Sequence, residues 1–526
     1  MPSVSSLAII TGAVDIAYHV AFGLSLTPKG LILRYLMLFA VALILKLFYQ
    51  IFLFRRYGSP FRDLPAVPNP HWLWGTFIEY QDHRYDQGLR MSREYPGLPF
   101  SRFYGPFGTD QLLPGTIEAH RQILQTKCYK FKKPTTVSRG FKQFIGDGLF
   151  FSEGDQHKMQ RRLLNPGFAP TYIKTLVPAF MTHMRKLTAN YDEKTAAGPA
   201  IFPQLHLLSR FTLDVIGQVS FGVNLHALDD ETNELVQAYT TLSTPIDDPA
   251  FFFLNSLIPG FKYLPTRQNK RMAEAKKVFK KAIRGVISQR IEDAYERKIE
   301  GKERDSLRLL LLDTEHRWTV DEIENQLMTL LLAGHETTGG ALSWALLNLA
   351  RNQDVQDRLR AEVQAAFPGG MDDISDETQL ESLKFLNNVL RETLRINPPV
   401  PVTVREAEED IEIEGQLIPK GTTVNICIDA LNKLPEIWGA DSDAFNPDRW
   451  DTDAAQNSAY GLATFIHGAR ACLGRRLAEL EMKCTLATLV GRYKFEEAVE
   501  NQVVPMDFVI TLKPSDGLPL KVTRLT

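Results

Sequence analysis

A capping box opens a long periodic run in this chain. Thr319-Val320-Asp321-Glu322 sets a hydroxyl and a carboxylate three residues apart, the spacing at which each satisfies a free N–H at a helix start. Apolar periodicity then continues to about Arg351, which specifies one helix about 50 Å long. A rod of that length crosses a whole domain, so the fold around it is expected to be mainly α. Midway stands Ala333-Gly334-His335-Glu336-Thr337-Thr338-Gly339-Gly340, where each Gly costs up to about 1 kcal/mol relative to Ala. Local propensity opposes helix here, a reasonable cost where backbone must open or pass close to a flat group. An acid beside a hydroxyl, Glu336 and Thr337, also makes a short proton relay.

A second constraint lies near the C-terminus, in Phe465-Ile466-His467-Gly468-Ala469-Arg470-Ala471-Cys472-Leu473-Gly474. Phe465 can cover the sulfur of Cys472, Gly468 and Gly474 let backbone approach closely, and Arg470 offers a fork for a carboxylate. Helix-forming composition follows from Arg475 to Lys483. Cys472 therefore sits at a helix start, where amide N–H groups and the macrodipole favour a thiolate. A buried structural cysteine is the bland alternative for a lone Cys.

The pattern Phe-x-x-Gly-x-Arg-x-Cys-x-Gly resembles the haem-binding signature of the cytochrome P450 family, with Cys472 as axial ligand to the iron. Ala333 to Thr338 resembles that family's oxygen-activation motif, which carries Glu336 and Thr337 over as its acid and alcohol. Glu392-Thr393-Leu394-Arg395, followed by Phe445-Asn446-Pro447-Asp448-Arg449, resembles the Glu-x-x-Arg and Phe-x-Pro-x-Arg triad that braces the haem loop. His157 to Arg161 resembles the Trp-x-x-x-Arg helix, with His157 where Trp is usual. His157, Arg161 and the strand residue Arg405 are thereby implied as partners of haem propionates. The resemblance implies a mainly α fold with small β-sheets, a triangular helical prism. It further implies haem b, a lipophilic substrate, and electrons from NADPH–cytochrome P450 reductase, with cytochrome b5 as a second donor. A thiolate ligand pushes electron density onto the iron and favours O–O cleavage, so the activity implied is monooxygenation. One rival is an isomerase of the same fold, which has no need of the Glu336–Thr337 relay; another is a non-catalytic haem sensor.

Bulk properties agree. A net charge of −2 gives no reason to expect nucleic acid as a partner, and four cysteines without a C-x-x-C pair argue against a disulfide framework or structural zinc. Residues 31–54 are overwhelmingly apolar and, as helix, span about 36 Å. Arg55, Arg56 and Arg62 follow directly, which places the later chain on the cytosolic side of a membrane, and the family resemblance implies that of the endoplasmic reticulum. The chain divides into a leader (1–30), an anchor (31–54), a basic, proline-rich hinge (55–71) and a catalytic domain (72–526). Within the leader, Leu7 to Leu26 carries Asp15 and His19 and reads as a second span, an interfacial helix or a loose leader.

Lys276, Lys277, Lys280, Lys281 and Arg284 suit a membrane surface or, as the reading preferred for a charge run, form a solvated helix face. Lys158, Arg162, Arg475 and Arg476 suit an acidic electron donor or form plain surface. By position relative to the family motifs, Phe141–Phe151, Leu331–Ala333, Val400–Thr403 and Phe508–Thr511 line the distal pocket.

Overall fold

The computed structural model describes residues 4–525 apart from 23–27, 69, 77–86, 231, 244–248, 259, 297–304, 314, 317, 453–459 and 509–510. The run from Thr319 becomes one helix, Val320–Arg351, and the capping box forms as the spacing requires. Glu322 N–H donates to the Thr319 hydroxyl (3.3 Å) and Thr319 N–H to the Glu322 carboxylate (2.9 Å). The helix runs unbroken through Ala333–Gly340, so the backbone does not open there. Its glycines serve packing instead. A Cβ on Gly334 would lie 2.6 Å from Ile216, and one on Gly339 would lie 3.1 Å from Ser209, both on the helix Gln204–Phe221. Close packing between the two helices offsets the propensity cost.

Around this rod pack the helices Val177–Lys194, Arg267–Glu296, Lys384–Ile396 and Arg475–Arg492, with one apolar core running through them. The basic run on Arg267–Glu296 is not a purely solvated face. Lys280 pairs with Glu324 (2.8 Å) and Arg284 with Asp321 (2.8 Å), both from the central helix.

Strands gather at the edge. A five-stranded sheet has the order Phe100–Tyr104, Asp110–Pro114, Thr423–Cys427, Val402–Ala407, Phe131–Lys132. The alternating segment at Ile411 forms the expected hairpin, Ile411–Ile413 against Gln416–Ile418, turning through Glu414 and Gly415, both at positive φ. At the N-terminus, α1 (Val4–Phe22) and α2 (Pro28–Phe48) are both helical. Residues Lys29–Gly58 are long and apolar enough to cross a membrane, with an 18-residue stretch inside them reaching a mean hydropathy of 2.3.

Burial holds His120 and His335 neutral. It pushes His120 down to about 4 and His335 to about 3, with the Lys513 ammonium reinforcing the effect at His335. The unfolded chain takes up these protons near pH 6.5, and the native state resists until near pH 4 or below. Stability is therefore complete above pH 6.5 and falls as pH drops, by about 1.4 kcal/mol per pH unit for each such group. Denaturant midpoints of the full protein are expected to drop steeply between pH 6.5 and 4.5, and His335→Gln is expected to flatten that slope. An unchanged slope in the variant would contradict the assignment.

Candidate functional site

The cysteine loop is pinned before it begins. Asn432, wholly buried, accepts from the Ala463 N–H (2.7 Å) and donates to the Thr464 hydroxyl (2.9 Å) and the Arg395 carbonyl (3.3 Å). Thr464 in turn donates to the Leu394 carbonyl (2.6 Å). The loop entry thus hangs from the end of the Lys384–Ile396 helix, the same end that carries Glu392 and Arg395.

Those two residues and Arg449 form the expected triad. Arg395 donates twice to Glu392 (2.7 and 2.8 Å), and Arg449 Nε donates to Glu392 Oε1 (2.9 Å). The Trp450 indole N–H and the Asn446 N–H also donate to this carboxylate (3.0 and 2.9 Å). Glu392 and Arg395 have no exposed side-chain surface, so every charge here is compensated by protein groups.

Within the loop, the Cys472 N–H donates to the Phe465 carbonyl (2.8 Å) and closes the turn. Gly468 stands at φ 79°, and a Cβ there would lie 2.1 Å from the Leu124 carbonyl, so only glycine fits. Gly474 is different: its φ of −88° is open to any residue, and its contribution is an amide N–H to the Cys472 sulfur. Cys472 is exposed where the other three cysteines are buried, yet protein crowding the sulfur raises its thiol pKa, outweighing the lowering by the Gly474 amide and Arg161. The helix start alone therefore does not make a thiolate; a coordinated metal would.

Beside the loop lies a cationic cluster. Arg470 donates to the Ser152 carbonyl (2.9 Å) and pairs with Glu153, leaving its buried Nε without a partner. Arg405 is buried and, among the described residues, donates to Thr403 and the Val404 carbonyl; desolvation and Arg470 hold its pKa down at about 10. His157 is buried against the Tyr129 hydroxyl (3.2 Å). Lys133, which no sequence motif marks, joins them over the Phe150 ring (4.8 Å). Burial, with Arg405 and Arg470 nearby, lowers it to about 7. Glu153 is the one carboxylate seen to face this group among the described residues. Arg161 stands apart, donating to the Ala471 carbonyl and to Asn165 on the cysteine side.

On the central helix, Thr337 donates its hydroxyl to the Ala333 carbonyl (2.7 Å). Its neighbour Glu336 faces the C-terminal hairpin, where Thr511 donates to it (3.4 Å) and the Lys513 ammonium lies 3.7 Å away. Of the distal-pocket residues, Phe141 and Phe151 stack in the core (5.9 Å between rings) and Leu331 and Leu332 are buried; residues 509–510 lie outside the described set. Arg162, Lys158 and Arg475 make exposed pairs with Glu315, Asp155 and Glu479, while Arg476 is exposed.

Comparison with known proteins gives a match to the Cytochrome P450 family model over residues 65–520. The chain belongs to the cytochrome P450 family. It is 33% identical to the cytochrome P450 monooxygenase sphH of Aspergillus fumigatus over 91% of both chains. It is 30% identical to the monooxygenase buaD of Petromyces alliaceus, over 95% of this chain and 94% of that one. The monooxygenase FUM15 of Gibberella moniliformis is also 30% identical, over 83% of each. The protein is thus an oxidoreductase of the monooxygenase class with the cytochrome P450 fold.

The family's cofactor is a haem held by a thiolate, and this cytochrome P450 has residues that fit it. A group bearing two carboxylates would neutralise the surplus charge of Lys133, Arg405 and Arg470 and meet the unpaired Arg470 Nε. Lys133, distant in sequence from the other two cations, had no motif to announce it.

Proposed function

We propose that this cytochrome P450 inserts one atom of O2 into a lipophilic small molecule, with a terpenoid or polyketide intermediate as the substrate class. The cofactor in this reading is haem b, ligated by Cys472, with Arg405, Arg470, Lys133 and His157 toward its propionates. When bound, it supplies reductive oxygen activation, fed by NADPH–cytochrome P450 reductase with cytochrome b5 as auxiliary donor. The intact Glu336–Thr337 pair carries the proposal, because an isomerase of this fold does not consume protons. Thr337 holds a hydroxyl proton at the central helix, and Glu336 can supply it with protons from the side of Lys513 and Thr511. The apolar residues 29–58 support an anchor in the endoplasmic reticulum membrane, with the basic Arg55, Arg56 and Arg62 on the cytosolic side. The relatives, cytochrome P450 monooxygenases of fungi, support monooxygenation as the reaction.

The test compares metabolites, by mass spectrometry, in a fungal host with and without the active protein, followed by reconstitution with the reductase. Products one or more oxygen atoms heavier, dependent on NADPH and O2, are expected. Thr337→Ala should cut product formed per NADPH consumed by about 100-fold while leaving haem content unchanged. Isomeric products formed without NADPH, or an unaffected Thr337→Ala variant, would overturn the reading.

A further inference from the structure

The two N-terminal helices carry an arrangement that a single-span anchor does not need. Asp15 of α1 and Arg34 of α2 form an ion pair at 3.0 Å, with only 3% of the Asp15 side chain exposed. The Arg34 guanidinium also lies 4.3 Å over the ring of Tyr18. Further along, the Tyr35 hydroxyl donates to the Ala8 carbonyl (3.3 Å). A Cβ on Gly12 would meet the Tyr35 ring at 3.5 Å, so the helices approach closely at a small residue, as membrane helices do.

The faces of α1 are reversed relative to those of a helix packed in water. Thr11 and Asp15 are buried, whereas Ile9, Ile10, Val14, Ile16 and Phe22 are more than half exposed. Water would select the opposite arrangement. Hydrocarbon selects this one: apolar side chains outward to lipid, and polar groups inward to each other. Opposite Asp15, α2 exposes Ile32, Leu33, Leu36 and Met37, again an apolar outer surface.

The register also agrees. Asp15 precedes the end of α1 at Phe22 by seven residues, and Arg34 follows the start of α2 at Pro28 by six. In antiparallel helices joined by residues 23–27, both charges then lie about 10 Å from the connected ends. With 19 residues, α1 reaches about 28 Å, close to the thickness of a hydrocarbon core. A lone Asp or Arg at that depth is unfavourable in lipid, and each is the other's partner.

We infer that α1 and α2 form a two-span hairpin in the bilayer, locked by the Asp15–Arg34 pair, with the N-terminus on the same side as the catalytic domain. Orientation follows from Arg55, Arg56 and Arg62 after α2, which keep that end cytosolic. Arg55 itself is held by the catalytic domain, 4.3 Å over the Tyr104 ring, with its carbonyl accepting from Arg102 (3.0 Å). The inference rests on the membrane-anchored reading proposed above.

The experiment places a glycosylation acceptor on an N-terminal extension of the full chain in microsomes, and a second acceptor in a lengthened 23–27 connection. The N-terminal acceptor is expected to stay unmodified and protease-accessible in sealed microsomes, while the connecting acceptor is glycosylated. Asp15→Lys should raise N-terminal glycosylation at least tenfold by setting two cations against each other. The exchange Asp15→Arg with Arg34→Asp should return it to the starting level. An efficiently glycosylated N-terminus in the unmutated chain would overturn the hairpin while leaving the anchor intact. Release of the protein by alkaline carbonate would instead overturn membrane anchoring itself.

Discussion

Replacing Glu392 with alanine is expected to abolish accumulation of the folded, haem-loaded protein. Its two oxygens accept five hydrogen bonds: three at Oε1 from Arg395, Arg449 and the Asn446 N–H, and two at Oε2 from Arg395 and Trp450. Removing the carboxylate leaves two guanidinium groups, 0% and 7% exposed, with the exposed Asp441 carboxylate, 3.0 Å from Arg449, as the remaining counter-charge among the described residues. Breaking a buried pair in this way costs about 3–5 kcal/mol, against a total stability of about 5–15 kcal/mol for a typical protein. Glu392→Gln keeps the volume but loses the charge and turns a donor toward donors, so it should fare little better. The reciprocal change Arg449→Lys keeps one cation and should cost less, because Arg395 retains its bonds to the Ser442, Ala444 and Asn432 carbonyls. Denaturant unfolding read by circular dichroism, alongside haem content, distinguishes these outcomes. A Glu392→Ala protein with stability within 1 kcal/mol of the parent would show that the triad does not brace the loop.

Signals confined to a few adjacent residues were legible in the sequence, and those depending on distant segments were not. The capping box at Thr319, the hairpin turn at Gly415 and the Glu392–Arg395 pair all act within one or two helical turns or a single turn of strand. Arg449 was legible because its motif precedes the cysteine loop in a fixed order. The unbroken course of the central helix through Gly334 was not, since its explanation is Ile216 on another helix, and tertiary packing overrides propensity there. Lys133, Asn432 and Lys513 are ordinary residues in sequence. They acquire meaning only when folding sets Lys133 beside Arg405, Asn432 under Ala463, and Lys513 opposite Glu336. Gly474 shows the converse: its place in the motif suggested conformational need, whereas its backbone is ordinary and its amide is what meets the sulfur.

Replacing Cys472 with serine is expected to remove the long-wavelength absorption of the reduced, carbon monoxide-bound protein and to reduce monooxygenation to background. That band reports a sulfur donor to ferrous haem iron, and a serine hydroxyl supplies neither the polarisable sulfur nor a readily ionised ligand. The substitution is small, and the Cys472 N–H can still donate to the Phe465 carbonyl, so the loop should fold and bind haem through the cationic cluster. Loss of the band without loss of fold, judged by circular dichroism, therefore isolates the ligand. The other cysteines provide the control. Cys484 is wholly buried on the Arg475–Arg492 helix, with its thiol pushed far above its ordinary range by desolvation, and Cys128 and Cys427 are buried as well. Cys484→Ser should leave the band in place, at a stability cost set by a hydroxyl in an apolar site. Persistence of the band in Cys472→Ser, or its disappearance in Cys484→Ser with the fold intact, would move the ligand elsewhere and leave the Phe465–Gly474 loop without its assigned chemistry.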